Sequence, residues 1–359
     1  MKAWLVRSWR KRGLANFLLW PLSMVYRVLT DFHRALYRAG ILKAGHCRVP
    51  IIVVGNVVAG GAGKTPLVIA LAQHLKRQGL NVGVVSRGYG RQGKNCLEVL
   101  HTTPISDSGD EPAYILRSIL APIFVANRRM RAVQALLAKY PATQVIVSDD
   151  GLQHHAMARN IEITVFDDRG IGNGWLLPAG PLREAYNPTR ASTRALQPIQ
   201  GLVLHTGQSP AFGGYVSTRR LADFALDANG NKVALSELTE LNKQRGQGLT
   251  ALAGIANPST FFDMLAARGL HIVKTISLPD HFDFSGYVWP VSADRVVLCT
   301  EKDAVKLFEI PRFRTCKLLA VPLEFSPEPT FLAAVDARLK PLLLKSSELP
   351  STYEQPNRR

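Results

Sequence analysis

The chain has 359 residues, long enough for two domains with cores of their own, and 47% hydrophobic with 20% charged content is ordinary for a globular protein. Its charge is not ordinary: 44 Lys and Arg against 27 Asp and Glu leave +17, which points to anionic partners. The four cysteines, Cys47, Cys96, Cys299 and Cys316, are scattered without paired spacing, so neither a zinc site nor a disulfide framework is indicated and a reducing cytosolic setting fits.

Residues 1–45 hold nine basic side chains, among them Arg7, Arg10, Lys11 and Arg12, against Asp31 alone, a net +8. The run Leu14 to Tyr26 is apolar apart from Asn16 and Ser23, and is shorter than the roughly 20 residues a bilayer span needs. A signal peptide is disfavoured because no small-residue cleavage site follows. From Val25 onward the pattern is amphipathic, with Arg27, Asp31, Arg34 and Arg38 on one face and Val25, Val28, Leu29, Phe32 and Leu36 on another. This predicts one or two helices lying in a membrane interface, apolar side in the acyl boundary and basic side on anionic headgroups.

Next comes an apolar strand at 49–54, a glycine-rich loop and a helix at 64–78, in which Leu67, Val68, Leu71 and Leu75 recur at helical spacing before Gly79. Glycines at 60, 61 and 63 let backbone N–H groups of the Gly60 to Pro66 segment, Ala62 included, turn toward a phosphate chain. Lys64 can reach β/γ-phosphates, and the Thr65 hydroxyl can ligate Mg²⁺. The strict phosphate-loop pattern has glycine where this chain has Val58. The following alternation, strands at 81–85 and 122–126, helix 128–140, and strands at 143–148 and 161–166, predicts a mostly parallel sheet covered by helices. The strand before Asp149 and Asp150 delivers carboxylates to its C-terminal end, where α/β sheets bind ligands, so one or other aspartate is the candidate Mg²⁺ ligand.

Segment 167–200 is rich in Gly, Pro and Arg and reads as a functional loop followed by a domain boundary. A second βα series follows, with a strand near 201–205, a strand and turn at 249–257, strands at 271–276, 295–300 and 316–322 and helices at 258–269 and 329–345. The expected organisation is a basic membrane-associating segment (1–45), a phosphate-loop domain (46–198), a smaller α/β domain (199–345) and a polar tail (346–359).

Several strings together resemble one family. The loop ending in Gly63-Lys64-Thr65-Pro66, the element Ser86-Arg-Gly-Tyr-Gly-Arg91, Gly109-Asp-Glu-Pro112, Ser148-Asp-Asp-Gly-Leu-Gln-His154, Gly172-Asn-Gly174, Leu177-Pro-Ala-Gly-Pro-Leu-Arg-Glu184, Asp280-His281 and Thr300-Glu-Lys-Asp-Ala-Val-Lys306 are similar to those of the tetraacyldisaccharide 4'-kinases. The resemblance spans roughly residues 10 to 325 in consistent order. It implies transfer of the γ-phosphoryl of ATP, with Mg²⁺, to the 4'-hydroxyl of a tetraacylated glucosamine disaccharide 1-phosphate. The implied location is the cytoplasmic face of the inner membrane of a Gram-negative-type bacterium. It further implies Asp110 as the base, supported by His281, with Ser86, Arg87, Tyr89, Gln153, His154, Arg183 and Glu184 on the substrate side. Since Asp110 and His281 fall in different domains, the site is expected in a cleft between them. The segment Asn187 to Leu196 departs from the family's usual continuation.

Two other classes meet specific obstacles. A membrane-recruited regulatory ATPase shares the loop and an amphipathic segment but carries a signature lysine where Ala59 stands, and a GTPase needs Asn-Lys-x-Asp where Thr300-Glu-Lys-Asp303 has Lys302 directly before the aspartate. No aromatic-basic module supports nucleic-acid binding, and no protein partner is inferred.

Overall fold

The computed structural model describes residues 3–187, 200–245, 248–288, 296–313 and 317–347. Helices α1 (Ala3–Ser8) and α2 (Leu14–Arg38) precede β1 (Ile51–Gly55), α3 (Lys64–Arg77), β2 (Val82–Ser86), β3 (Leu97–Glu98), α4 (Ile105–Ser108), α5 (Asp110–Ser118), β4 (Ile123–Val125), α6 (Arg129–Lys139), β5 (Val145–Asp149), β6 (Ile161–Phe166), β7 (Gln200–His205) and β8 (Tyr215–Leu221). The chain continues through β9 (Phe224–Leu226), β10 (Lys232–Ala234), α7 (Leu235–Arg245), β11 (Leu249–Ala253), α8 (Pro258–Ala267), β12 (Ile272–Ser277), β13 (Val296–Thr300), α9 (Glu301–Leu307), β14 (Lys317–Val321), β15 (Leu323–Pro327) and α10 (Pro329–Ser347).

Among the described residues the strands form two sheets, one of nine in the order β15-β8-β7-β6-β1-β5-β2-β4-β3 and one of six in the order β10-β9-β14-β13-β11-β12. Pairing is parallel except at the edges, where β3, β15 and the β9–β10 ribbon run antiparallel. Strands β1, β2 and β5 are buried along their whole length, as an α/β sheet covered on both faces requires. One face is covered by Leu67, Leu71 and Leu75 of α3, Ile115 of α5, and Phe331, Val335 and Leu339 of α10. The other face is covered by Val133, Leu136 and Leu137 of α6. Each such leucine contributes roughly 1.5–3 kcal/mol through burial.

The boundary expected at 198/199 does not coincide with the division between the sheets. Strand β7 pairs in parallel with β6 over six residues, β8 adds to β7, and β15 returns from near the C-terminus to pair with β8. The six-stranded sheet is therefore an insertion between β8 and β15. Helix α10, expected in the second unit, packs its apolar side on the nine-stranded sheet. Residues 188–199, where the boundary and most of the divergent Asn187 to Leu196 segment lie, are outside the described residues, as are 348–359 of the expected tail; α10 itself extends through Ser347.

Helix α2 inverts the usual amphipathic arrangement. Its only fully buried residues are the polar Asn16 and Ser23. Asn16 Nδ2 donates to Ala179 O at 2.8 Å, Ser23 Oγ donates to Leu176 O at 2.9 Å, and the Ala179 amide donates to Ser23 Oγ at 3.0 Å. Tyr26 Oη reaches Arg183 O at 2.8 Å. Leu14, Phe17, Leu18, Trp20, Leu22, Val25, Val28, Leu29 and Phe32 remain 42–78% exposed. Arg34, assigned on sequence to the outward basic face, instead turns inward to pair with Glu184. Among the described residues no helix is long and apolar enough to cross a membrane.

Candidate active site

The C-terminal ends of β1, β5 and β2 lie side by side in the sheet, and each is followed by one of the motifs. After β1 the chain enters the glycine loop and turns into α3 at Lys64. Gly63, the residue before the helix, has φ +79°, a conformation that disfavours a side chain. Lys64 Nζ lies 3.2 Å from Asn56 Oδ1 and 3.5 Å from Asp150 Oδ1, and Thr65 is buried in the first helical turn. Val58 has a physical reason to replace the usual glycine. Its side chain is buried, and its backbone bridges to Leu182 in the Leu177 to Glu184 string, while Ala59 N donates to Pro181 O at 2.8 Å and Arg183 N to Val57 O at 2.7 Å.

Asp149 ends β5 and is almost wholly buried; Ser86, at the end of β2, donates Oγ–H to its Oδ2 at 3.3 Å. Its Oδ1 is buried and has no hydrogen-bond partner among the described residues. Burial, helped by the negative charges of Glu111 and Asp150, pushes Asp149 up to about 7. Asp150 follows with φ +46°, and burial there is outweighed by Lys64, Arg183 and Arg129, which lower its pKa. An unpartnered carboxylate oxygen beside a second carboxylate and a helix-start threonine is a donor set that suits a hard divalent cation. Thr65, Asp149 and Asp150 would hold Mg²⁺ here.

A second cluster stands where the inserted sheet meets this edge. Asp110 begins α5, where the helix N-terminus favours a carboxylate. Gly109 before it has φ +87°, and a Cβ there would come 2.9 Å from Tyr89 O. His281 Nδ1 lies 2.9 and 3.0 Å from the two Asp110 oxygens, and Lys306 Nζ donates to Asp110 Oδ2 at 3.2 Å. Burial opposes ionisation of Asp110, but the His281 hydrogen bond and the charges of Lys302, His281 and Lys306 win and hold its carboxyl well below the usual range. Burial likewise works against the imidazolium of His281, and the hydrogen bond and charge of Asp110, with Asp280, more than offset it and raise its pKa. Lys302 joins the cluster, donating to Glu111 Oε1 at 3.2 Å and Asp280 Oδ1 at 3.1 Å. His281 has φ +60°, an uncommon conformation for a non-glycine residue and one that clusters at functional sites.

A family model for tetraacyldisaccharide-1-P 4'-kinase matches residues 15–340. The chain belongs to this family. It is 58% identical over 353 residues to the tetraacyldisaccharide 4'-kinase of Polaromonas naphthalenivorans, covering 98% of both chains, and 48% identical to that of Acidovorax ebreus, covering 93% of this chain and 94% of the relative. The solved structure of the Aquifex aeolicus family member, described as an apo form in complex with ATP, superimposes with a TM-score of 0.71 at 25% identity, covering 93% of this chain and 99% of that one.

Within this 4'-kinase fold the remaining motif residues divide into two groups. Gln153, Arg183 and Glu184 lie with the phosphate loop: Gln153 Nε2 donates to Asn56 O at 3.1 Å and to Glu184 Oε1 at 3.0 Å, and Arg183 Nη1 lies 3.4 Å from both Asp150 carboxylate oxygens. Glu184 is buried between Gln153 and Arg34. His154 is kept neutral, its pKa lowered to about 4 by burial and by Arg129, Arg159 and Arg87. Arg87 and Tyr89 are exposed on the loop beside Asp110, and the Tyr89 ring centroid is 4.9 Å from that of His281.

Sequence reasoning gave no role to Asn56, Glu111, Lys302 or Lys306. The last two are four residues apart on α9, so both reach the same cluster. Apart from Lys302, the Thr300 to Asp303 string is a structural brace. Thr300 caps α9 by accepting from Asp303 N at 3.2 Å, buried Asp303 accepts from Gly254 N at 2.9 Å, and Glu301 accepts from Tyr114 Oη at 3.0 Å and Leu323 N at 3.0 Å.

Proposed function

We propose that the protein transfers the γ-phosphoryl of ATP to the 4'-hydroxyl of a tetraacylated glucosamine disaccharide 1-phosphate, the lipid A 4'-phosphorylation step. The observation that supports the residue-level reading is the link between two clusters through Glu111, whose charge acts on Asp149 and whose carboxylate accepts from Lys302: one cluster is suited to a phosphate chain and a divalent cation, the other is an anionic carboxylate gripped from the inserted lobe.

In this reading the amides of Gly60, Gly61, Ala62 and Gly63, the Lys64 ammonium and the first turn of α3 from Thr65 and Pro66 receive the triphosphate. Mg²⁺, held by Thr65, Asp149 and Asp150, supplies neutralisation of developing phosphate charge. Asp110 takes the proton of the sugar hydroxyl. Its carboxylate is a weak base, which suffices because phosphoryl transfer has a largely dissociative transition state that asks more of positioning than of base strength. His281 orients that carboxylate. Arg87 and Tyr89, with Ser86 behind them, face the acceptor. Arg183 faces the phosphates, and Gln153, His154 and Glu184 hold the floor beneath them.

The outward apolar face of α2 and the basic residues around it support peripheral attachment to an anionic bilayer, where an amphiphilic acceptor is dissolved. We place that bilayer as the cytoplasmic face of the inner membrane. The test supplies purified protein with γ-labelled ATP, Mg²⁺ and detergent-dispersed disaccharide lipid, alongside the same lipid lacking the 4'-hydroxyl. Label enters only the hydroxylated lipid if the reading holds; equal labelling of both acceptors contradicts it.

A further inference from the structure

The backbone of the glycine loop is held by side chains that belong to none of the motifs. Asn56, directly after β1 and fully buried, donates from Nδ2 to Val58 O at 2.6 Å and Gly60 O at 2.9 Å. Arg169, three residues beyond β6, donates from Nη1 to Ala59 O at 3.2 Å and from Nη2 to Gly61 O at 2.7 Å. Thr206, directly after β7, donates from Oγ1 to Ala62 O at 2.9 Å. Five consecutive carbonyls, from Val58 to Ala62, therefore each accept a side-chain hydrogen bond.

In a trans peptide unit the C=O of one residue and the N–H of the next point in opposite directions. Fixing the carbonyls of residues 59–62 thus aims the amides of Gly60, Gly61, Ala62 and Gly63 the other way. Among the described residues, none of those four amides is hydrogen-bonded within the protein. The Arg169 guanidinium is itself aligned by Asp167, with Nε 2.9 Å and Nη2 2.8 Å from Oδ2. The three anchors stand at the C-terminal ends of neighbouring strands, β7, β6 and β1.

We propose that Arg169 and Thr206 are positioning residues for the nucleotide: with Asn56 they set the loop carbonyls outward, so that the amides face the phosphate chain before ATP arrives. Presetting lowers the ordering cost of binding, and the loss of one charge-assisted anchor weakens ATP by about tenfold or more. The inference rests on the reading of Gly60 to Pro66 as the phosphate loop, and the experiment separates the two.

Mg-ATP affinity is measured by calorimetry on the full chain in detergent for wild type, Arg169→Ala, Arg169→Lys, Thr206→Val and Lys64→Ala, with melting temperatures and with amide hydrogen exchange of the 59–63 stretch in the ATP-free enzyme. Arg169→Ala weakens ATP about tenfold and Thr206→Val about threefold or more, both speed exchange in the loop, and the KM for lipid moves less than twofold; Arg169→Lys falls between wild type and Arg169→Ala. If Arg169→Ala fails to fold, the near-isosteric Thr206→Val carries the test. Unchanged affinity and unchanged loop exchange in the folded variants, with Lys64→Ala impaired, overturn the anchoring role alone. Normal ATP binding by Lys64→Ala overturns the phosphate-loop reading beneath it.

Discussion

His281 Nδ1 lies 2.9 Å from Asp110 Oδ1 although 171 residues separate them in sequence. One partner opens the first turn of α5 on the nine-stranded sheet, and the other sits on a loop of the inserted lobe. The carboxylate is thus complete only when the two lobes are together, and Lys306 reinforces the same junction by bonding both Asp110 and Phe282 O, the latter at 2.9 Å.

Asp110→Asn and His281→Ala are each expected to lower kcat by roughly two to four orders of magnitude, the usual contribution of general acid–base catalysis, while ATP affinity stays near normal. The double variant should be scarcely worse than the poorer single one, because groups that serve one step are strongly non-additive. Multiplicative losses would separate the two residues.

Replacing Lys306 by Met removes one of the positive charges that keep Asp110 ionised, with His281 and Lys302 remaining and Glu111 still opposing them. The Asp110 pKa therefore rises, and because the reaction requires the carboxylate, the acidic limb of the pH–kcat profile moves to higher pH. A limb that stays in place, or moves to lower pH, argues against control of Asp110 by Lys306.

How much of this was legible in the chain follows from the range over which each signal acts. The β1–loop–α3 unit announced itself through local periodicity and glycines. Strand β8 did not: along Tyr215–Leu221 its buried positions are Ser217 and Leu221, with Arg219 and Arg220 between them, so no apolar alternation marks it. Strand β15 is only half-buried and pairs Glu324 with Arg220, which hid the return of the chain to the first sheet and displaced the expected boundary. Helix α5 is nine residues long with Pro112 in its first turn, where proline is tolerated but reads as a break. The motif strings carried Asp110 and His281 and also contained Lys302 and Lys306, but the roles of those lysines, like those of Arg169 and Thr206, depend on partners about 100 to 200 residues away.

The exposed face of α2 gives a direct membrane test. Leu18→Glu combined with Phe32→Glu should release the protein from anionic vesicles with little change in melting temperature, since these side chains are 75% and 61% exposed. It should also raise the apparent KM for lipid more than that for ATP. Full vesicle binding by the double variant would assign attachment to another surface.

Two half-buried imidazoles contribute to the acid sensitivity of the fold. Burial first, then nearby arginines, lower His154 to about 4 and His155 to about 3, so the folded state resists protons that the unfolded chain takes up near 6.5. Their stabilising contribution is complete above pH 6.5 and is lost as pH falls toward about 4 for His154 and about 3 for His155. The melting temperature should drop over that window, and His155→Gln should flatten the drop; an unaltered slope in the variant would remove His155 from it.

The most direct test of the account is transfer of label from γ-labelled ATP to the disaccharide lipid by wild type and by Lys64→Ala under identical Mg²⁺ and detergent conditions. Wild type should form a lipid phosphorylated at the 4' position, and the folded Lys64→Ala protein, deprived of the ammonium that faces the phosphates, should form almost none. Equal product from both proteins would contradict the assignment of the Lys64 site as the place where the phosphoryl group is transferred.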